Sequence, residues 1–258
     1  MITGRVGDAA DGAPNIAARV RHQFATAKAI VGRMLGSPVL SIVILVVLLA
    51  DSVIEGLDVW YRYRRLTGAE RISEYFYLSN DRGIGEYFEY LLTAMAGCAI
   101  LAVAKKHSAR KESRLLIVAG LLFVWLTLDN SLMIHENFGV LLQRLVGPHD
   151  LLGIDVQDMG ELCIYALSVL AVLIGLRGTI RPPLSTAELI ALGAICVAAA
   201  GAIFGVGVDM VHSMIPLDYP ILREVAGFIE DSGELWLLSL ASLLAMGIIL
   251  PDAFPDAP

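Results

Sequence analysis

Six stretches of mainly apolar residues limit the fold of this 258-residue chain more than any other feature. A helix needs about 20 such residues to cross the hydrocarbon core of a bilayer, because its backbone polar groups must be hydrogen-bonded within the segment. The stretches comprise residues 39–60, 86–104, 115–134, 161–176, 189–212 and 234–250. Hydrophobic residues make up 57% of the chain, which exceeds the usual share in soluble domains. The sequence therefore predicts an all-α, multi-pass membrane protein with six transmembrane helices.

The distribution of Lys and Arg predicts the orientation of these helices. Basic residues in short loops tend to remain in the cytoplasm. If the N-terminus is inside, the inner segments hold 12 of the 19 Lys and Arg residues, including every lysine. We therefore expect both termini in the cytoplasm, and the cell inner membrane as the location.

The chain divides into three predicted parts. Residues 1–37 form a basic cytoplasmic segment whose apolar residues recur at helical spacing, which suits either an amphipathic helix on the anionic leaflet or a flexible leader. Residues 38–250 form the transmembrane domain, and residues 251–258 a cytoplasmic tail. In the fifth apolar stretch, Gly201 and Gly205 form a GxxxG motif that predicts close packing against a neighbouring helix.

The transmembrane domain shows an internal repeat. Each outgoing helix carries an aspartate near its end, and each returning helix carries a Gly-Glu pair. The aspartates are Asp51, Asp129 and Asp209, and the glutamates are Glu86, Glu161 and Glu234. Asp158 and Asp231 precede their glutamates by three residues, but the first repeat has Ile84 at that position. The pattern predicts three helical hairpins, over residues 38–104, 115–177 and 188–250.

Acidic side chains concentrate on the predicted outer side, which holds 20 of the 26 Asp and Glu residues together with His135, His149 and His212. Helical spacing places several of them on shared faces. The predicted faces are Asp51 with Glu55 and Asp58, Asp129 with Glu136, and Asp209 with His212.

The glutamates after glycine have a simpler interpretation as first-turn acids, stabilised by the positive end of the helix dipole. It does not apply to the three aspartates, which lie toward the C-terminal ends of their helices, where the dipole disfavours anions.

A charge at bilayer depth costs at least about 2.5–3.5 kcal/mol, so it needs a counter-charge, water or a proton. The predicted spans contain no Lys or Arg. The counter-charge is therefore a bound cation, shared protons, or arginines from the outer loops. The candidate arginines are Arg62, Arg64, Arg65, Arg71, Arg82, Arg144 and Arg223.

A divalent metal is the interpretation we prefer, because imidazole together with carboxylate suits zinc or iron. The predicted ligands are Asp129, His135, Asp209 and His212. Glu161 and Glu234 are the candidates for further ligands or for a general base. The remaining acidic cluster comprises Asp51, Glu55, Asp58, Glu86, Glu136, Asp158 and Asp231.

Several classes of function are disfavoured. A net charge of −7 argues against nucleic acid as a partner. The apolar stretches contain no lysine for a retinal Schiff base, and the chain has no P-loop motif.

Three hypotheses are left open. The first is a metal-dependent enzyme, such as a hydrolase, that acts on a lipid or other amphiphile at the outer leaflet. The second is a cation or proton transporter or channel, in which the acidic face concentrates ions. The third is a noncatalytic subunit that docks on another membrane subunit or on a second copy of the chain.

Overall fold

The computed structural model describes residues 16–68, 73–80, 82–108, 113–147, 150–151, 154–180 and 184–249. Its helices are α1 (Ile16–Gly36), α2 (Pro38–Leu66), α3 (Ile84–Lys106), α4 (Ser113–Leu132), α5 (Ile134–Val146), α6 (Val156–Leu176), α7 (Thr186–Ser213) and α8 (Pro220–Met246). Two 3₁₀ turns (Glu74–Phe76 and Gly247–Ile249) and a small antiparallel ribbon of β1 (Asp150–Leu151) and β2 (Ile154–Asp155) complete the described elements. The predictions for Arg71, His149 and the tail 251–258 lie outside the described residues.

Six of these helices are long and apolar enough to cross a membrane, which confirms the predicted helical fold and indicates a multi-pass membrane protein. They are α2, α3, α4, α6, α7 and α8, the last extended to Ile249. Large apolar side chains cover their outer surface, with Val39 71% and Ile203 75% exposed. Such a surface suits contact with lipid. The orientation of the helices and the identity of the membrane stay predictions.

Helix α1 spans Ile16–Gly36, in agreement with the helical spacing of its apolar residues. Ile30 and Met34 are buried, and the Met34 side chain packs against Gly247 at the end of α8. One face of α1 thus packs on the bundle. Contact of α1 with the lipid leaflet stays a prediction.

Several predicted boundaries are wrong, and each error concerns a helix end. Helix α2 continues to Leu66, so Arg62 lies on the helix and not in an outer loop. Helix α4 ends at Leu132, and α5 begins after Met133, whose φ of 52° is left-handed. Helices α6 and α8 begin earlier than predicted, at Val156 and Pro220. Polar residues that flank an apolar stretch extend α2, α6 and α8, because tertiary contacts satisfy side chains such as Arg62 and Glu230.

Helices α7 and α8 pack along their length, as the GxxxG motif predicted. A Cβ atom at Gly201 would lie 3.2 Å from the Cβ of Leu237, and Gly205 lies against the Glu234 side chain. Helix α3 packs mainly on α4 and α8. Helix α2 makes more contact with α8 than it makes with α3. The three predicted hairpins therefore differ in their packing, and the threefold repeat stays a prediction.

The apolar core lies at one end of the bundle, in the C-terminal half of α3, the N-terminal halves of α4 and α7, and the C-terminal half of α8. Its residues with 0% exposure include Ala96, Ile100, Leu115, Leu116, Ala119, Phe123, Ala191, Ala194, Ala241 and Ala245. The charge distribution predicts that this end faces the cytoplasm. The polar residues gather at the opposite end.

Candidate metal centre

A cleft of about 460 Å³ opens at the polar end of the bundle, between α3, α4, α5, α6, α7 and α8. Eight carboxylates line it, together with His135, His212 and Tyr165. The carboxylates belong to Glu86, Glu89, Glu136, Glu161, Asp209, Glu230, Asp231 and Glu234. Within the part of the chain that the structure describes, no Lys or Arg lines this cleft. The lining is therefore rich in carboxyl groups, which suits a cation.

Three side chains in the cleft form a possible metal-binding group: Asp209, His212 and Glu230. Their ligand atoms all lie within 4.8 Å of one another. Ligands held about 2.0–2.2 Å from one ion are at most about 4.4 Å apart, so small side-chain rotations would bring these three onto an ion. Asp209 and His212 lie one turn apart on α7, as the i, i+3 spacing predicted, and Glu230 reaches them from α8.

Glu230 was missed at the sequence level because the sixth span was predicted to begin at Glu234. Helix α8 begins at Pro220, which places Glu230 and Glu234 one turn apart on the same helix face. The Glu230 Oε2 atom lies 3.0 Å from His212 Nδ1. A pattern of Glu-Asp-x-x-Glu within a longer helix was the signal that would have revealed it.

The four predicted ligands do not form one group, because His135 pairs with Asp129. The Oδ2 atom of Asp129 lies 3.0 Å from His135 Nδ1, and Oδ1 accepts a hydrogen bond from the His135 backbone N–H at 3.1 Å. These contacts join α4 to α5 across the break at Met133. That break also separates Asp129 from Glu136, so the predicted shared face of these two residues is wrong.

His135 lies in the wall of the same cleft as the possible metal group. Asp129 orients the imidazole through Nδ1, and Nε2 lies 3.7 Å from Glu136 Oε1 at the cleft wall. The ring also packs against Tyr165, with centroids 5.1 Å apart.

Burial alone would lower the pKa of His135, but the hydrogen bond and charge of Asp129, with Glu136 and Glu161 nearby, raise it above its ordinary value. A raised pKa in the folded protein means that protonated His135 stabilises the fold. This contribution is complete below the unfolded imidazole pKa of about 6.5 and is lost as pH rises through the higher folded pKa. We expect unfolding free energy, measured across that window in detergent, to fall with pH in the wild type.

Asp129→Asn should remove most of this pH dependence, because the strongest partner of the imidazolium loses its charge. An unchanged pH profile in Asp129→Asn would contradict this assignment.

Arg62 provides a counter-charge of the kind the sequence predicted, although it does so from within α2. Its side chain is 6% exposed, and Nε donates to Asp58 Oδ2 at 2.6 Å. The Nη2 group donates to Asp231 Oδ2 at 2.5 Å, and Nη1 donates to the backbone oxygen of Glu224 at 2.9 Å. The guanidinium also lies over the Tyr77 ring, 4.7 Å from its centroid. Arg62 thus provides one positive charge that Asp58 and Asp231 share, and it ties α2 to α8.

Asp51 and Glu55 lie on the face of α2 that meets α8, outside the cleft lining. Asp51 has 0% exposure, and Ser239 donates a hydrogen bond of 3.0 Å to its Oδ1 atom. Glu55 accepts a hydrogen bond from Trp236 Nε1. The face predicted for Asp51, Glu55 and Asp58 is thus present on a continuous helix, but it serves the α2–α8 contact and does not join the metal group.

The three glutamates that follow glycine differ in their positions. Glu86 lies in the first turn of α3, where it accepts a hydrogen bond of 2.6 Å from the Arg82 backbone N–H, so the first-turn interpretation is confirmed for it. Glu161 and Glu234 lie inside α6 and α8, and for them that interpretation is wrong. Both line the cleft with the metal group. Asp158 lies in the first turn of α6 and is not part of the cleft lining.

These features define a multi-pass helical membrane protein with an acidic cleft at one end of its bundle. The chain belongs to the family described as Domain of unknown function (DUF8692), whose sequence profile matches residues 39–247. The match runs from the first turn of α2 to the end of α8, so the bundle and the cleft both belong to the family domain. No curated protein and no solved structure shows a significant match to the chain.

Proposed function

We propose that this protein binds a divalent metal ion, zinc or iron, through Asp209, His212 and Glu230 and uses it to act on a lipid or other amphiphile. The observation that supports this is the convergence of three ligand atoms from two helices in one anionic cleft. Imidazole with carboxylate is a donor set that suits these metals. The surrounding helices are long and apolar enough to lie in a membrane, which favours a membrane-resident substrate.

Asp209, His212 and Glu230 would hold the ion, which would supply Lewis-acid activation of a water molecule in the cleft. Glu161 and Glu234 line the same cleft. No Lys or Arg lies within one helical turn of either glutamate along its own helix. In a hydrolysis, one of these carboxylates accepts the proton of the attacking water. The water oxygen bonds to the electrophilic atom, and the proton then passes to the leaving group as the original bond breaks.

The packing weighs against the alternative of a cation or proton pathway through the bundle. The deep end of the cleft is lined by Leu126, Ala198 and Leu238. Beyond it lie core residues with 0% exposure, such as Phe123 and Ala241. A pathway for ions needs polar groups or water along its length. A noncatalytic subunit would differ from an enzyme in copurifying with a stoichiometric partner.

Metal analysis of the purified protein tests the proposal. After equilibration with zinc or ferrous iron and removal of free metal, we expect about one ion per chain by inductively coupled plasma mass spectrometry. His212→Ala and Glu230→Gln should each weaken metal binding by at least about 100-fold, since even residues that only support ligands cost 10-fold to 100-fold.

His107→Ala is the matched control, because His107 is the C-cap residue at the far end of α3. This variant should bind metal as the wild type does. A wild-type protein that holds no stoichiometric metal, or variants that bind as tightly as the wild type, would refute the proposed centre.

A further inference from the structure

The cleft is open on one side, between α6 and α7. Helix α6 packs on α4 and α5 but makes few contacts with α7 or α8. Both walls of the gap nevertheless line the cleft, with Tyr165 on α6 and Ala202 and Val206 on α7. Ala202 is exposed, as expected for a residue at an opening. Both helices are candidate membrane spans, so in a bilayer this opening would face the lipid.

The lining changes from apolar to polar along α7. The residues that line the cleft on this helix extend from Ala198 to His212, a distance of about 21 Å at 1.5 Å per residue. Its deep part is formed by Ala198, Ala202 and Val206, facing Leu126 and Leu238 from neighbouring helices. Its outer part ends at the metal group. A groove with this pattern fits a molecule with an alkyl chain and a polar head, and its volume of about 460 Å³ is typical of ligand pockets.

The charge of the lining selects the kind of head group. Eight carboxyl groups line the cleft, and one divalent ion would offset no more than two negative charges. Within the described parts of the chain no Lys or Arg side chain lines the cleft, and Arg62 already binds Asp231. A phosphate, sulfate or carboxylate head would therefore be repelled, whereas an ammonium head would be attracted.

We infer that the groove binds a membrane amphiphile with an amine-bearing, positively charged head and an alkyl chain. The molecule enters sideways from the lipid between α6 and α7, with its chain along Ala198, Ala202 and Val206 and its head beside the metal group. This inference rests on the proposed function for the reaction that follows binding, but binding itself can be measured separately.

Binding of nitroxide-labelled dodecylamine to the full-length protein in nanodiscs tests the inference. Ala202→Trp should weaken binding by about tenfold or more, because the indole fills the groove at its opening. Ile203→Trp is the matched control, since Ile203 is the next residue on α7, is 75% exposed and does not line the cleft. It should bind the probe as the wild type does. A nitroxide-labelled dodecyl sulfate should bind at least about tenfold more weakly than the amine.

Equal binding of the amine probe to the wild type and Ala202→Trp would overturn the inference, and so would equal binding of amine and sulfate probes to the wild type. Metal content of the same samples separates the two proposals. Groove binding without metal would refute only the proposed centre, whereas metal binding without selective amine binding would refute only the present inference.

Discussion

Replacing Arg62 with alanine should lower the free energy of unfolding by about 3–5 kcal/mol, the usual cost of removing one partner from a buried ion network. Asp58 has 0% exposure and would lose its guanidinium partner. Asp231 would keep the Ser79 hydroxyl but lose its only cation in the described structure. Chemical unfolding of the detergent-solubilised protein, followed by circular dichroism, measures the difference.

Arg65→Ala provides the matched control for this prediction. Arg65 lies one turn from Arg62 on α2 and also contacts Glu224, with Nε 3.3 Å from Oε1. Its side chain is 56% exposed, however, and exposed ion pairs contribute about 0–1 kcal/mol. A loss for Arg62→Ala no greater than that for Arg65→Ala would show that Arg62 is not the counter-charge on which α2 and α8 depend.

Arg62 also adjoins the candidate metal centre through Gly227 on α8. A Cβ atom at Gly227 would lie 3.0 Å from Arg62 Nη1 and 3.2 Å from His212 Cε1, so an added methyl group would press on both side chains. The salt-bridge network and the metal group are thus close neighbours. The network stabilises the helices that bring His212 and Glu230 together.

Gly160→Ala should lower the free energy of unfolding by about 3 kcal/mol, at the upper end of what an extra methyl group costs in a packed interior. The new Cβ would lie 2.6 Å from the Cα of Gly139, a backbone atom that cannot rotate away. Helices α5 and α6 would have to separate, and with them Glu136 and Glu161 on the two sides of the cleft. Thermal unfolding in detergent provides the measurement.

The matched control for Gly160→Ala is Gly207→Ala on α7. Nothing lies within 4 Å of a Cβ atom at Gly207, so alanine adds helix propensity without a clash. This variant should gain about 0.5–1 kcal/mol in unfolding free energy. If both alanine variants changed stability by the same amount and in the same direction, the close contact of α5 with α6 would not determine the effect.

Much of the local structure was predictable, because it depends on residues close together in the chain. Apolar stretches of about 20 residues determine membrane helices through backbone hydrogen bonding alone. The i, i+3 relation of Asp209 and His212 follows from the pitch of a single helix. The cost of burying carboxylates predicted a counter-charge for three deep aspartates. Arg62 is one of the arginines named for that role, but it pairs with Asp58 and Asp231 instead.

Helix ends were less predictable. The start of α8 at Pro220 and the extension of α2 to Leu66 depend on contacts between helices, which an apolar pattern does not contain. The break at Met133 was equally difficult to predict, because it depends on the hydrogen bonds that Asp129 makes with His135. Because of these errors, the predicted metal site omitted Glu230 and included Asp129.

By itself the sequence determined six apolar helices, an acidic end and the pairing of Asp209 with His212, because each follows from local composition and the geometry of one helix. Only the tertiary structure decided that Glu230 completes the group, that His135 belongs to Asp129, and that Asp51 faces Ser239. The reason is physical. Which side chains meet across a bundle depends on the rotation and packing of whole helices, and small contacts such as Gly160 against Gly139 set that arrangement.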